Sequence, residues 1–191
     1  MDSADDLAAE PAELLWAEEV AALTGWSGDR RLIEWASAER ELGLRLPQDY
    51  KLLGETFGAG TFDDNLDFCV PGSHRLALEL IRADRTEFAG ANPSGQSAVK
   101  LLQWATTSAG HSFCWLVEDS DPEYWPVFAR SDRWEPWERF DCSAGEFIHR
   151  MLSDPQHPYS LAKYFETHWF APAGEVEPAE EAFGDEYYPR W

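Results

Sequence analysis

The spacing of the apolar residues changes abruptly along this chain, and that change restricts the fold most. In PQDYKLLGETF (47–57), Tyr50, Leu53 and Phe57 recur at i, i+3 and i+7, one face of a helix. Pro47 suits the first helical position, with Gln48 and Asp49 in the first turn. Gly54 inside this helix should cost about 1 kcal/mol relative to alanine, which a close crossing by another element would explain. Gly58 and Gly60 turn the chain out, and the period then becomes two. Leu66, Phe68 and Val70 alternate with Asp67 and Cys69, a half-buried strand ended by Pro71-Gly72. Four apolar runs follow: VKLLQWA (99–105), SFCWLVE (112–118), EYWPVFAR (123–130) and WERF (137–140). Ser108–His111 and Asp119–Pro122 supply turn chemistry between them, which makes an antiparallel meander. Helices segregated from hairpins predict an α+β fold, an antiparallel β-sheet packed with helices and not a doubly wound one.

The remaining segments read as helices. Residues 30–43 bring Leu32, Trp35, Glu39 and Leu42 near one face, and Gly43 ends the run. LALELIRADRTEFAG (76–90) predicts a helix with Leu76, Leu80 and Ile81 inward, followed by the loop ANPSGQ. SAGEFIHRML carries Phe147, Ile148 and Met151 inward, with Ser143 and Glu146 spaced as a capping box. PAELLWAEEVAAL (11–23) places Trp16, Val20 and Leu23 on one face, with Gly25 as its stop. LAKYFETHWF (161–170) predicts another short helix, and beyond it Tyr187, Tyr188 and Trp191 are candidate aromatic anchors on the body or on a second copy. The expected organisation is an acidic N-terminal extension with a short helix (1–29), a central α+β domain (30–152) and a C-terminal extension (153–191) that is acidic from 171.

Charge narrows the function. Among 191 residues, 36 Asp+Glu face 15 Lys+Arg, a net charge of −21. Residues 1–29 hold eight acids and no base, and residues 171–191 hold six acids and one arginine. Direct binding to a nucleic-acid backbone or to anionic lipid needs the opposite sign, so both are disfavoured. No apolar run approaches the ~20 residues of a membrane helix. The start MDSADDLAAEP is acidic where a signal peptide is basic and then apolar, so the expected location is the cytoplasm. Cys69, Cys114 and Cys142 are odd in number and widely spaced, which argues against disulfides and zinc.

Reactive motifs are missing. GxSxG, HExxH, P-loop and GxGxxG patterns are all absent. His74, His111, His149, His157 and His168 lack metal-ligand spacing. Asp63, Asp64 and Asp67 form the most enzyme-like cluster, suited in principle to a cation or to acid–base chemistry in a hydrolase. The calcium-loop glycine and bidentate glutamate are absent, so a solvated turn is the expected reading. Glu118, Asp119, Asp121 and Glu123 crowd a second turn and read the same way. No catalytic residue, metal or cofactor is expected. Of the ten tryptophans, Trp104, Trp115 and Trp125 belong to the packed face of the sheet. Trp134 and Trp137 flank Glu135-Pro136 and are the candidates for exposure.

The stretch from Glu39 to Gly60 reads E-x-x-L-G-x-x-L-P-x-D-Y-K-x-L followed by F-G-A-G. With LLQWATT, FCWL, WPVFAR and WERFDCSAGEFIHRML, it resembles the SUKH superfamily over roughly residues 30–152. That group includes fungal cell-wall synthesis regulators and bacterial immunity proteins of polymorphic toxin systems. Phe57-Gly58-Ala59-Gly60 stands where a short polar-glycine turn is common, and Ala105 stands where glycine is frequent. The resemblance implies a SUKH-like α+β domain without catalytic residues. It implies a protein partner, in bacteria a cognate toxin of nuclease or deaminase type. A basic toxin domain suits the charge of this chain, and the expected state is a monomer or weak homodimer. The expected partner-binding residues are the acidic turns Asp63, Asp64 and Asp67 and Glu118, Asp119, Asp121 and Glu123, with Trp134 or Trp137 near the centre. A scaffold that binds a host protein is the alternative.

Overall fold

A computed structural model describes residues 12–73, 76–90, 98–117 and 121–174. The expectations for ANPSGQ and for Tyr187, Tyr188 and Trp191 lie outside these residues. The described chain forms α1 (Ala12–Thr24), α2 (Trp35–Leu42), α3 (Gln48–Phe57), β1 (Gly60–Phe62), β2 (Leu66–Phe68) and β3 (Glu79–Asp84). It continues with β4 (Ala98–Thr107), β5 (Ser112–Leu116), β6 (Val127–Arg130), β7 (Glu138–Phe140), α4 (Ala144–Ser153) and β8 (Phe170–Pro172). All strand pairs of the eight-stranded sheet are antiparallel, in the order β7-β6-β5-β4-β2-β1-β8. Strand β3 lies beside β4 next to β2. The α+β expectation holds.

Helices α1, α3 and α4 cover one face. Tyr50, Leu53 and Phe57 are fully buried, as their spacing requires, against Phe62, Phe68 and Trp115 of the sheet. Trp104 and Trp115 stack at 5.6 Å and Trp125 lies against Trp115, so these three form the packed face. A bulge in β4 between Gln103 and Ala105 lets Trp104 and Ala105 both be buried. Gly54 gives α2 its approach: a Cβ there would sit 2.8 Å from the Trp35 ring. The neighbouring residues on each strand point the other way. Leu101, Cys114 and Phe128 build a smaller cluster there with Ala83, Val99 and Trp137, under Phe88.

Helix ends are held by acids from elsewhere in the chain. Pro47 occupies the N-cap of α3 and offers no side-chain acceptor. Glu123, 75 residues away, accepts from the Gln48 N–H through both carboxylate oxygens, at 2.9 and 3.1 Å. Asp49 in turn accepts from the Gly145 N–H in the first turn of α4, at 2.9 Å. Ser143 caps α4 as expected. The Glu146 side chain accepts from Arg150, so the predicted capping box is made in one direction.

Three local expectations are overturned. Residues 79–84 form β3, not a helix. Leu, Glu, Ala and Arg favour a helix locally, but six residues of pairing with β4 win, and Leu80 ends exposed. Residues 161–169 make turns and Phe170 enters β8, because the chain must reverse to run antiparallel to β1. The helix expected over 30–43 begins only at Trp35; Leu32 precedes it and is 101% exposed. Among the described residues, no helix is long and apolar enough to cross a membrane.

Candidate partner-binding surface

The first acidic turn is structural on one side and open on the other. Asp63 and Asp64 have φ of 53° and 51°, and the Asn65 N–H closes the turn onto the Phe62 carbonyl. Aspartate tolerates this left-handed region better than most residues. Asp63 is buried, which corrects its reading as part of a solvated turn. Its carboxylate meets His168 Nδ1 at 2.7 Å and accepts from the Trp169 N–H at 3.0 Å. Its own N–H donates to the Trp169 carbonyl. Asp64 is exposed. Asp67 is half-buried and accepts from the Thr61 hydroxyl at 2.8 Å. The cluster therefore diverges: one carboxylate points inward, one lies across β1 and one faces solvent.

The second acidic turn presents more to solvent. Glu118 and Asp119 lie outside the described residues. Asp121 is exposed and ion-paired with Arg45 at 3.6 Å, and it accepts from the Glu123 N–H at the start of a short 3₁₀ turn. Beside Glu123, Tyr124 is 83% exposed, a large aromatic ring with almost no protein over it. Tyr124 borders a shallow depression of about 250 Å³ with Glu123, Pro126, Asp141 and Cys142. Burial, with Glu146 nearby, pushes the Cys142 thiol up to about 12, so it lacks thiolate character at neutral pH.

Tyr124 was missed from sequence because EYWPVFAR reads as one apolar run. Pro122 and Pro126 flank it, however, and that punctuation breaks the run before the strand at Val127.

The tryptophan pair splits. Trp134 is 79% exposed, with the Arg133 guanidinium 4.3 Å above its ring. Trp137 is 1% exposed, which overturns the expectation that both are open. Its ring packs under Phe88 and Phe128 and carries Arg130 at 4.2 Å, itself paired with Glu87. Strand register puts Trp134 at the end of the sheet that holds Asp64, and Tyr124 at the opposite end. The acidic and aromatic candidates thus form two separate surfaces.

Among the described residues, no group of three or more His, Cys, Asp or Glu is placed to hold a metal ion. The Tyr124 end offers an exposed aromatic ring beside Asp121, Glu123 and Asp141, with Asp121 paired to Arg45 and Asp141 to Arg139 at 2.7 Å. Residues 33–148 match the family model SUKH_6, described as SMI1-KNR4 cell-wall. No curated protein and no solved structure matches the chain.

Proposed function

The chain belongs to the SMI1-KNR4 family of the SUKH superfamily, and from that membership we propose that it is an immunity protein that neutralises a cognate, basic toxin domain by direct binding. The superfamily covers immunity proteins and SMI1-KNR4-like regulators, and its domains are generally non-catalytic binding proteins. The observation that carries the reading is the exposed Tyr124 ring between carboxylates, on a chain of net charge −21. Opposite fields raise association from roughly 10⁵–10⁶ M⁻¹s⁻¹ toward 10⁸ M⁻¹s⁻¹ at low salt. Tight binding then needs an anchor that loses its water at the interface, and a tyrosine at the centre of a charged rim supplies one. A nuclease or deaminase acting on nucleic acid presents a cationic groove of the required sign.

Asp119 and Asp121 rim this interface in the proposal, and Asp64 with Trp134 forms its secondary surface. The test is association kinetics with the toxin domain encoded beside this gene. Neutralising Asp119 and Asp121 slows association more than it speeds dissociation; equal association rates for variant and wild type overturn the placement. The family description favours a second reading, a regulator that binds a host protein. A neighbouring gene for a large secreted protein with a variable C-terminal domain supports immunity, and a solitary gene supports the regulator.

A further inference from the structure

A second depression, of about 370 Å³, lies at the β8 edge of the sheet, away from the acidic surface. Its lining is mixed: Ile33, Pro71, Pro172 and Ala173 stand beside Arg31 and Ser73, with Phe57 and Val70 buried behind them. Leu32 stands on its rim with its side chain fully in solvent. Arg31 lines the depression, with its stem over Gly58, where φ is +74°, while the adjacent Arg30 is ion-paired with Glu55 at 3.8 Å. Among the described residues, the one charged side chain in the lining is a cation, Arg31, whereas carboxylates border Tyr124.

We propose that the groove is the seat of this chain's own acidic C-terminal segment, residues 175–191. Three observations select that occupant. The chain leaves the described structure through the groove itself, since Pro172, Ala173 and Gly174 are part of its wall. The 17 residues that follow hold six acids and one arginine, the sign that Arg31 attracts. They also carry Val176, Phe183, Tyr187, Tyr188 and Trp191, apolar and aromatic groups of the kind such a wall buries. Tethering supplies the rest. A short linker holds an attached segment at about millimolar effective concentration, so weak intrinsic affinity suffices for occupancy. The inference does not depend on the identity of the toxin.

Paramagnetic relaxation in the full-length protein tests it. The native thiols suit the labelling: Cys69 and Cys142 are pushed up to about 12 by burial, and burial raises Cys114 as well. A nitroxide on Glu181→Cys is then taken up selectively at neutral pH. The expected result is loss of most of the signal at Leu32, Ile33 and Val70, unchanged on dilution. Leu32→Asp, at a fully exposed site that leaves the fold intact, and Phe183→Asp each restore the signal. Three results overturn the proposal: no loss at Leu32 and Val70, loss that persists in both variants, or loss only between labelled and isotope-enriched copies in a mixture. The last would assign the groove to a second copy.

Discussion

His168 Nδ1 and the Asp63 carboxylate meet at 2.7 Å across 105 residues, and the pair fastens β8 to the β1–β2 hairpin. Asp63 also takes the Trp169 N–H, so one buried carboxylate holds both a side chain and the backbone that leads into β8. Removing one member of a buried, hydrogen-bonded pair costs about 1–3 kcal/mol. Asp63→Ala is expected in that range by urea denaturation, with an added penalty for alanine at φ 53°. Asp63→Asn keeps the left-handed preference and an acceptor, and should lose less. A double-mutant cycle with His168→Ala should show coupling of about 1–3 kcal/mol; additive effects would mean that the pair does not hold the strand.

That clasp also marks where sequence reading stops. The helix stripe Tyr50, Leu53 and Phe57 and the strands around Trp104 and Trp115 were legible because burial imposes a period on their residues. Asp63 was not, because nothing local says that a partner waits at residue 168. Strand β3 was hidden for the same reason: its composition favours a helix, and only pairing with β4 makes it a strand. Glu123 looked like one acid among four in a turn, yet it caps a helix whose N-cap proline leaves an N–H free. Trp137 read as a turn residue because the cover over it, Phe88, comes from a segment expected to be helical.

Gly60 is where the β8 edge is least tolerant. A Cβ there would lie 2.3 Å from the Phe170 ring and 2.4 Å from the Ala171 carbonyl oxygen, and the latter is backbone that cannot rotate away. Gly60→Ala should therefore cost about 3 kcal/mol, the upper end for overpacking, and should raise amide exchange at Phe170–Pro172. Gly43→Ala meets no atom within 4 Å and pays only for its φ of 70°, about 1 kcal/mol. Equal losses would show that the β8 contact is loose.

Acid should destabilise the fold through two histidines. Burial depresses both His111 and His157 below the ordinary value of 6.5; near His157, Asp154 opposes this while Arg150 and Lys163 reinforce it. Below pH 6.5 the unfolded chain binds protons that the folded chain refuses. Their contribution is therefore complete above pH 6.5 and is lost as pH falls through the depressed values. His157→Asn retains an acceptor for the Tyr159 N–H and removes one titrating group. Its stability, followed by chemical denaturation from pH 7.5 to 5, should fall less steeply than wild type, by at most about 1.4 kcal/mol per pH unit. An identical slope would remove His157 from the account.

Glu123 and Tyr124 are neighbours with separable roles. Glu123→Ala uncaps α3 and should cost about 1 kcal/mol of stability. Tyr124→Ala removes a ring that is 83% exposed and should leave stability within about 0.5 kcal/mol. If Tyr124 anchors a partner, that same change weakens binding by about 2 kcal/mol or more. A thermal melt of both variants beside a titration with the partner separates the two.

Co-expression of the tagged full-length chain with the product of the gene immediately upstream tests the binding account most directly. It predicts that a basic toxin domain co-purifies at equal stoichiometry, associates more slowly as salt is raised, and is lost with Tyr124→Ala while the fold survives. Absence of any complex at low salt, or a complex indifferent to both salt and Tyr124→Ala, would contradict it.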